Sequence, residues 1–399
     1  MIPSLSIRLA VVALAALASG ARAQAPDTTP TLEITGFVQA DFGYNFRQSD
    51  PAWFDVNRPT KLPAFRNEFG RDGSFFAGVR TTHLAINGFF PAGTDTLKTV
   101  FDFDLFGTGD DDGQTTIHAL TIYGEFGHFG AGQADSPFMD IDVFPNAIEY
   151  WGPNGMPFFR NVQVRWMPIQ GDTRLTVALE QPGASGDAGN YADRVEIQNV
   201  SARFPLPDLS AEYRLARSWG YVETAGILRR FELDDLLDDA IDLSATITGW
   251  GLTLSSNINV GEANVVKLQG TYGEGIQNYM DDAPEDVGPR ITSGDPRRPI
   301  VAEALPVFGM VAFLDHTWNE RFTSAIGYSL VDVDNSTGQA PDAFRTGQYA
   351  LVNLLSTPVP NVLMGAELQW ARRENNSDGW RVDGYRLQVS FRYSFAQSM

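Results

Sequence analysis

From residue 32 onward the chain alternates apolar and polar side chains at period two. In the last segment Tyr385, Leu387, Val389, Phe391, Tyr393 and Phe395 share one face, and Arg386, Gln388, Ser390, Arg392 and Ser394 share the other. Successive side chains of a strand point to opposite faces, so this is a strand with one oily side and one wet side. The same parity recurs where Val38, Ala40, Phe42 and Tyr44 alternate with Gln39, Asp41 and Asn45. It recurs again at Phe101 and Phe103 with Asp102 and Asp104, at Leu175 to Leu179 with Arg174 and Glu180, and at Met364 to Trp370 with Glu367. A soluble sandwich hides its apolar face against a second sheet. Charges at fixed parity inside otherwise apolar strands fit instead a barrel with lipid outside and water within.

Segmenting the pattern yields 17 candidates, of which 194–204 is the weakest, spoiled by Glu196, Asn199 and Pro205. A bacterial single-chain barrel has an even strand number, so that segment is read as loop. The expectation is an all-β, 16-stranded antiparallel transmembrane β-barrel with an inward-folded constriction loop. Its strands are placed at 32–46, 74–89, 97–106, 115–125, 129–134, 161–168, 173–181, 208–217, 221–232, 243–257, 264–274, 305–316, 322–331, 345–357, 362–374 and 380–395. Long connections then fall at one end and short turns at the other, the asymmetry expected of outer-membrane barrels. Arg80 is an oddity, because it shares parity with the lipid-facing Leu84 and Ile86.

The loop at 135–160 carries Pro137, Phe138, Phe144, Pro145, Tyr150, Trp151, Pro153, Pro157 and Phe158. A solvated loop has no use for so much apolar surface. It is expected to fold into the lumen and narrow it; the other reading is a cover over the rim or a neighbouring subunit. By parity the lumen receives the cations Arg165, Arg174, Arg214, Lys267, Arg373, Arg386 and Arg392, with Arg160 at the end of the loop. It also receives the acids Asp41, Asp102, Asp104, Glu180, Glu212 and Glu367. Fixed guanidinium groups in a narrow pore ease the passage of anions and oppose cations. Arg165 is the first candidate, since it follows the loop directly. Asp140, Asp142, Tyr150 and Trp151 are the candidate solute contacts from the loop itself.

The N-terminus places Arg8 before the apolar run Leu9–Ala18 and ends in Ala21-Arg22-Ala23, the form of a cleaved export signal. The expected divisions are a signal peptide at 1–23, a short segment at 24–31 and the barrel at 32–399. Composition narrows the rest. The net charge is −20, which argues against nucleic-acid binding. There is no cysteine, and none of the four histidines is three or four residues from another, so no metal or cofactor is expected. Acid concentrates in loops expected to be exposed: Asp110–Asp112, Asp234/Asp235/Asp238/Asp239 and Asp281/Asp282/Glu285/Asp286. Asp110-Asp111-Asp112-Gly113 lacks the spacing of a calcium loop. Divalent bridging from these acids to lipopolysaccharide is a weaker reading than a solvated face.

The runs FDFDLFG (101–107), DDGQTT (111–116), GAGQADSPFMDIDVFPNAIEYWGPNG (130–155), FFRNVQVRW (158–166) and NLLSTPVPNVLMGAELQWARREN (353–375) resemble the DcaP-like porin family over nearly the whole mature chain. The resemblance implies a trimeric outer-membrane channel, related to the phosphate-selective porins, that favours small anions such as dicarboxylates. Two departures are visible. Only 24–31 precedes the first strand, too short for the coiled-coil extension some relatives carry. The strand IHALTIY (117–123) offers His118 and Leu120 where the resemblance leads one to expect arginines. Two other readings stand beside it: a non-selective or weakly cation-selective general porin, and a barrel hydrolase. The hydrolase would need a marked serine, and no G-x-S-x-G is present.

Overall fold

The computed structural model describes residues 29–292 and 294–399. The signal peptide expected at 1–23 lies outside the described residues. Twenty strands form among them: β1 (Thr31–Asn45), β2 (Ser74–Gly78), β3 (His83–Ala92), β4 (Asp95–Phe106), β5 (Thr115–Phe126), β6 (Phe129–Asp135), β7 (Arg160–Ile169), β8 (Arg174–Glu180), β9 (Val200–Arg203), β10 (Asp208–Arg217), β11 (Gly220–Asp235), β12 (Ala245–Val260), β13 (Asn264–Glu274), β14 (Val287–Ile291), β15 (Ile300–Ala304), β16 (Pro306–Asn319), β17 (Phe322–Val333), β18 (Phe344–Val359), β19 (Val362–Asn375) and β20 (Arg381–Ser398).

β14 and β15 are a separate hairpin inside one loop, and β9 only extends the outer end of β11. β2 and β3 are two halves of one traverse. The wall is therefore a closed 16-strand antiparallel barrel. Closure is made by β1 against β20, from Glu33 opposite Ser398 to Asn45 opposite Arg386. A closed wall leaves no unpaired strand edge in the hydrocarbon. The segment at 194–204, set aside as loop on pattern alone, crosses nothing: it holds a one-turn helix (Val195–Gln198) and β9.

Exposed Leu252, Leu254, Leu268, Ile326, Leu368 and Leu387 form the apolar belt. Aromatic side chains edge it on both sides: Tyr44, Phe46, Tyr272, Phe308 and Tyr385 towards the long loops, Phe126, Phe129, Trp219, Trp318, Tyr393 and Phe395 towards the short turns. Rings with an apolar body and a polar tip favour the two membrane boundaries, which sets the height of the barrel in the bilayer.

The traverse expected as one strand at 74–89 is broken. Asp41 faces Gly78 and Phe37 faces His83, so three residues of β1 stand opposite the four residues 79–82. This bulge reverses the parity of the strand. Phe76 points inward before it, Arg80 within it, and Ala85 after it. Arg80 is consequently buried, with Nη1 donating to Asp55 Oδ1 at 2.6 Å and Nη2 to the Gly107 carbonyl at 2.8 Å. Its oddity in the sequence was this one-residue shift.

The upper lumen is not simply aqueous. Val143 and Met156 pack on the inward faces of Val311, Phe313, Ala325 and Leu351. Phe138 packs among Ala225, Ile227, Ile276 and Val331. Inward-facing apolar residues on the wall thus serve as seats for loops. The loop at 275–305 also folds inward, against the expectation of an exposed acidic stretch: Asp281, Asp282 and Asp286 are all buried.

Candidate functional site

Residues 136–159 leave β6, cross the interior and return to β7. Each stage of the crossing is tied to a different part of the wall. Asp140 meets β10, β11 and β12: its Oδ1 accepts from Arg214 Nη2 at 2.6 Å, and its Oδ2 accepts from the Tyr221 hydroxyl at 2.7 Å and Ser255 Oγ at 2.5 Å. Asp142 also pairs with Arg214. Asn146 Nδ2 donates to Thr323 Oγ1 of β17 at 3.0 Å, and its backbone N–H reaches Asp315 of β16 at 3.2 Å. The Ile148 N–H donates to Glu367 of β19 at 3.2 Å, and its carbonyl accepts from Gln39 of β1 and Gln388 of β20. Tyr150 stacks on Phe106 with centroids 3.9 Å apart and donates to Asp104. Asn154 accepts from Ser329 Oγ at 2.7 Å.

Two other inward loops hold this segment from above. Backbone bonds join Gly155 N–H to the Asp281 carbonyl and Asp281 N–H to the Met156 carbonyl. Glu149 accepts from the Asn57 N–H at 3.2 Å and from the Gly152 N–H. Burial pushes the Glu149 carboxyl up to about 7, against the partial opposition of Arg386. Burial and the adjacent Asp282 raise Asp281 as well.

The acids expected on the lumen wall are mostly occupied. Asp41 accepts from Gln39, Thr81 and Gln388; Glu180 from Ser136 and Ser210; Glu367 from Asn353 and Gln369. Asp104 is shared by Tyr150 and His118, and Asp102 lies against His83. Among the cations, Arg174 is neutralised by Glu212 and Glu223, Arg214 by Asp140, Asp142 and Glu223, and Lys267 by Asp315.

Four arginines expected in the lumen have no carboxylate within ion-pair distance among the described residues. Arg373 donates to the carbonyls of Thr60, Leu62 and Asp342. Arg386 is fully buried and donates to the Asp55 carbonyl and to Gln388. Arg392 is half-buried, bonded to Gln39 at 2.6 Å and set over the Phe37 ring. Arg165 is half-buried, donates to the Asp135 carbonyl at 2.6 Å, and lies 4.9 Å from the Tyr123 ring centre. Gly130 makes this last arrangement possible, since a Cβ there would fall 1.5 Å from the Tyr123 hydroxyl.

A cavity of about 360 Å³ lies beside the inward segment, lined among others by Arg58, His118, Tyr150, Trp151, Phe158 and Arg160. Arg160 Nε is 2.8 Å from Asp135 Oδ1. The Arg58 guanidinium sits between Trp53 and Trp151, 4.1 and 3.8 Å from their ring centres, and bonds Asp282 at 2.8 Å. Arg58, Tyr221, Glu223 and Asp282 went unnoticed as site residues in the sequence. The loop at 47–73 carries Trp53, Phe54, Phe65 and Phe69. The aromatic argument applied to 135–160 would have flagged it too.

A closed barrel of this size, girdled by aromatics and entered by a loop from one end, is an outer-membrane porin. The chain belongs to the family described as DcaP outer membrane protein, whose model matches residues 22–395. The outer membrane channel DcaP of Acinetobacter baumannii is similar with a TM-score of 0.77 and 19% identity, over 94% of this chain and 99% of that one. The anion-selective porin of Comamonas acidovorans is similar with a TM-score of 0.58 and 10% identity, over 92% and 100%. The trimer form of Vibrio cholerae OmpT is similar with a TM-score of 0.53 and 11% identity, over 92% and 99%. At such identities the likeness is one of fold. No curated protein matches the chain. The protein is an outer-membrane channel, and the hydrolase reading falls away with the family.

Proposed function

We propose that the protein is a water-filled, homotrimeric channel for passive diffusion of small hydrophilic solutes, favouring anions, with residues 136–159 narrowing the pore. One observation carries the anion preference. The wall acids Asp41, Glu180 and Glu367 are buried and Glu212 is ion-paired, whereas Arg165 and Arg392 are only half-buried and have no carboxylate within ion-pair distance among the described residues. A fixed cation beside a narrow aqueous path lowers the electrostatic barrier for an anion and raises it for a cation. The Comamonas acidovorans relative is named as anion-selective and the Vibrio cholerae relative has a trimer form. Both properties are carried here as part of the proposal.

Reversal potential under a potassium chloride gradient tests it, with refolded protein in a planar bilayer. The wild type is expected to pass chloride in preference to potassium. Arg165→Ala should shift the potential towards zero, and Arg165→Ala/Arg392→Ala further. Cation selectivity in the wild type would contradict the proposal and point to the exposed acids, such as Asp238 and Asp239, as the dominant field.

A further inference from the structure

The cavity beside the inward segment differs from a plain aqueous passage in its walls. Tyr150, Trp151, Phe158 and Phe159 all contribute to it. Water-filled pores need no aromatic faces, and partly exposed rings are costly to leave against water alone. Their placement follows from the anchors already described: Tyr150 is pinned by Phe106 and Asp104, and Phe159 leans on Tyr279 at 4.9 Å.

Two guanidinium groups face the same space, and each rests on a ring. Arg58 lies over Trp151 at 3.8 Å and Arg160 lies 5.0 Å from the Phe158 ring centre. Stacking fixes the plane of each fork before any ligand arrives. Each meets its carboxylate through Nε: Arg58 to Asp282 and Arg160 to Asp135, both at 2.8 Å. The terminal nitrogens of both make no hydrogen bond among the described residues. They are therefore left for a second, incoming anion in the bidentate geometry that arginine prefers. Buried Asp281 and Asp282 line the same cavity beside the guanidinium edges and aromatic faces, and Asp282 is already taken up by Arg58 Nε and the Thr60 N–H.

We propose that this cavity is a binding subsite for aromatic carboxylates of about benzoate size, with the carboxylate on Arg160 and Arg58 and the ring against Trp151 and Phe158. A volume of about 360 Å³ suits one such molecule. The inference rests on the channel reading above and narrows its solute class.

The test is block of chloride current in a planar bilayer by benzoate and by cyclohexanecarboxylate, added separately to the wild type at neutral pH. The two probes match in charge and nearly in size and differ in the aromatic face. Benzoate is expected to reach half-block at a concentration about threefold to tenfold lower, the range a ring–ring contact supplies. Trp151→Leu should bring the two probes together. Arg160→Gln should weaken both by about tenfold while leaving their ratio unchanged, and it leaves Trp151 packing intact should the leucine variant fold poorly. Equal block by both probes, or block by neither in a conducting, anion-selective channel, would overturn the subsite and leave the channel standing. A folded protein that conducts nothing would overturn both.

Discussion

Arg214→Ala should release the first anchor of the inward segment without opening the barrel. The side chain is buried and bonds three acids at once: Asp140 at 2.6 Å, Glu223 at 2.6 Å and Asp142. Asp140 and Glu223 are each 1% exposed, so removing the arginine strands two carboxylates away from water. Breaking a buried ion pair from one side costs about 3–5 kcal/mol. That strain falls on residues 138–143, because Asp140 is on the inward segment and Glu223 on the sheet. The remaining anchors, at Asn146, Ile148, Tyr150 and Asn154, hold the far half in place. The expected result is a noisier, larger single-channel conductance and protease cutting near 138–143, with the barrel still resisting heat in detergent. Asp140→Asn is the control. It leaves Arg214 its bonds to Glu223 and Asp142, and its amide can turn the oxygen to Arg214 and the NH2 to the Tyr221 and Ser255 hydroxyls, so its effect should be much smaller. Wild-type conductance and protease resistance in Arg214→Ala would refute the claim that this ion cluster holds the segment.

Two further outcomes follow from single residues. Glu149 is neutral in both docked and released states below its ordinary value of 4.5, and charged in both above about 7. Docking is therefore firmest in acid and loses up to about 3 kcal/mol as pH rises across that window, at about 1.4 kcal/mol per pH unit. Current noise should rise over the same range in the wild type and stay flat in Glu149→Gln; an unchanged pH profile in the variant would rule Glu149 out. Gly130→Ala drives a methyl into the Tyr123 hydroxyl and should displace the ring on which Arg165 lies. The reversal potential should move although no charge is altered, and an unmoved potential would show that Arg165 does not depend on that ring.

Strand placement was readable because lipid on one side and side chains seated against water or loops on the other impose strict parity. The final strand, expected at 380–395, forms at Arg381–Ser398. Where parity shifts by one residue, as at 79–82, a pattern of alternation cannot register it, and Arg80 read as a contradiction. The aromatic content of 135–160 announced an inward loop, because rings need a seat. What the rings sit on was not legible. Asp140 and Arg214 are 74 positions apart, and Arg58 and Asp282 are 224 apart. Nothing local marks such partners. The acids at 281, 282 and 286 misled for the same reason: a run of aspartates reads as a solvated surface until their distant partners, Arg58 and Arg229, are in view.

The most direct test of the inward segment's place across the lumen uses the absence of cysteine from the chain. Asn146 and Thr323 touch side chain to side chain at 3.0 Å, one on the segment and one on β17. The measurement is single-channel conductance of the Asn146→Cys/Thr323→Cys protein, oxidised and then reduced. The account predicts that in protein in which the two thiols have joined, conductance equals that of the wild type, because the bond holds the segment close to where it already lies. A conductance that differs clearly from wild type in the joined, folded protein, and returns to it on reduction, would contradict it.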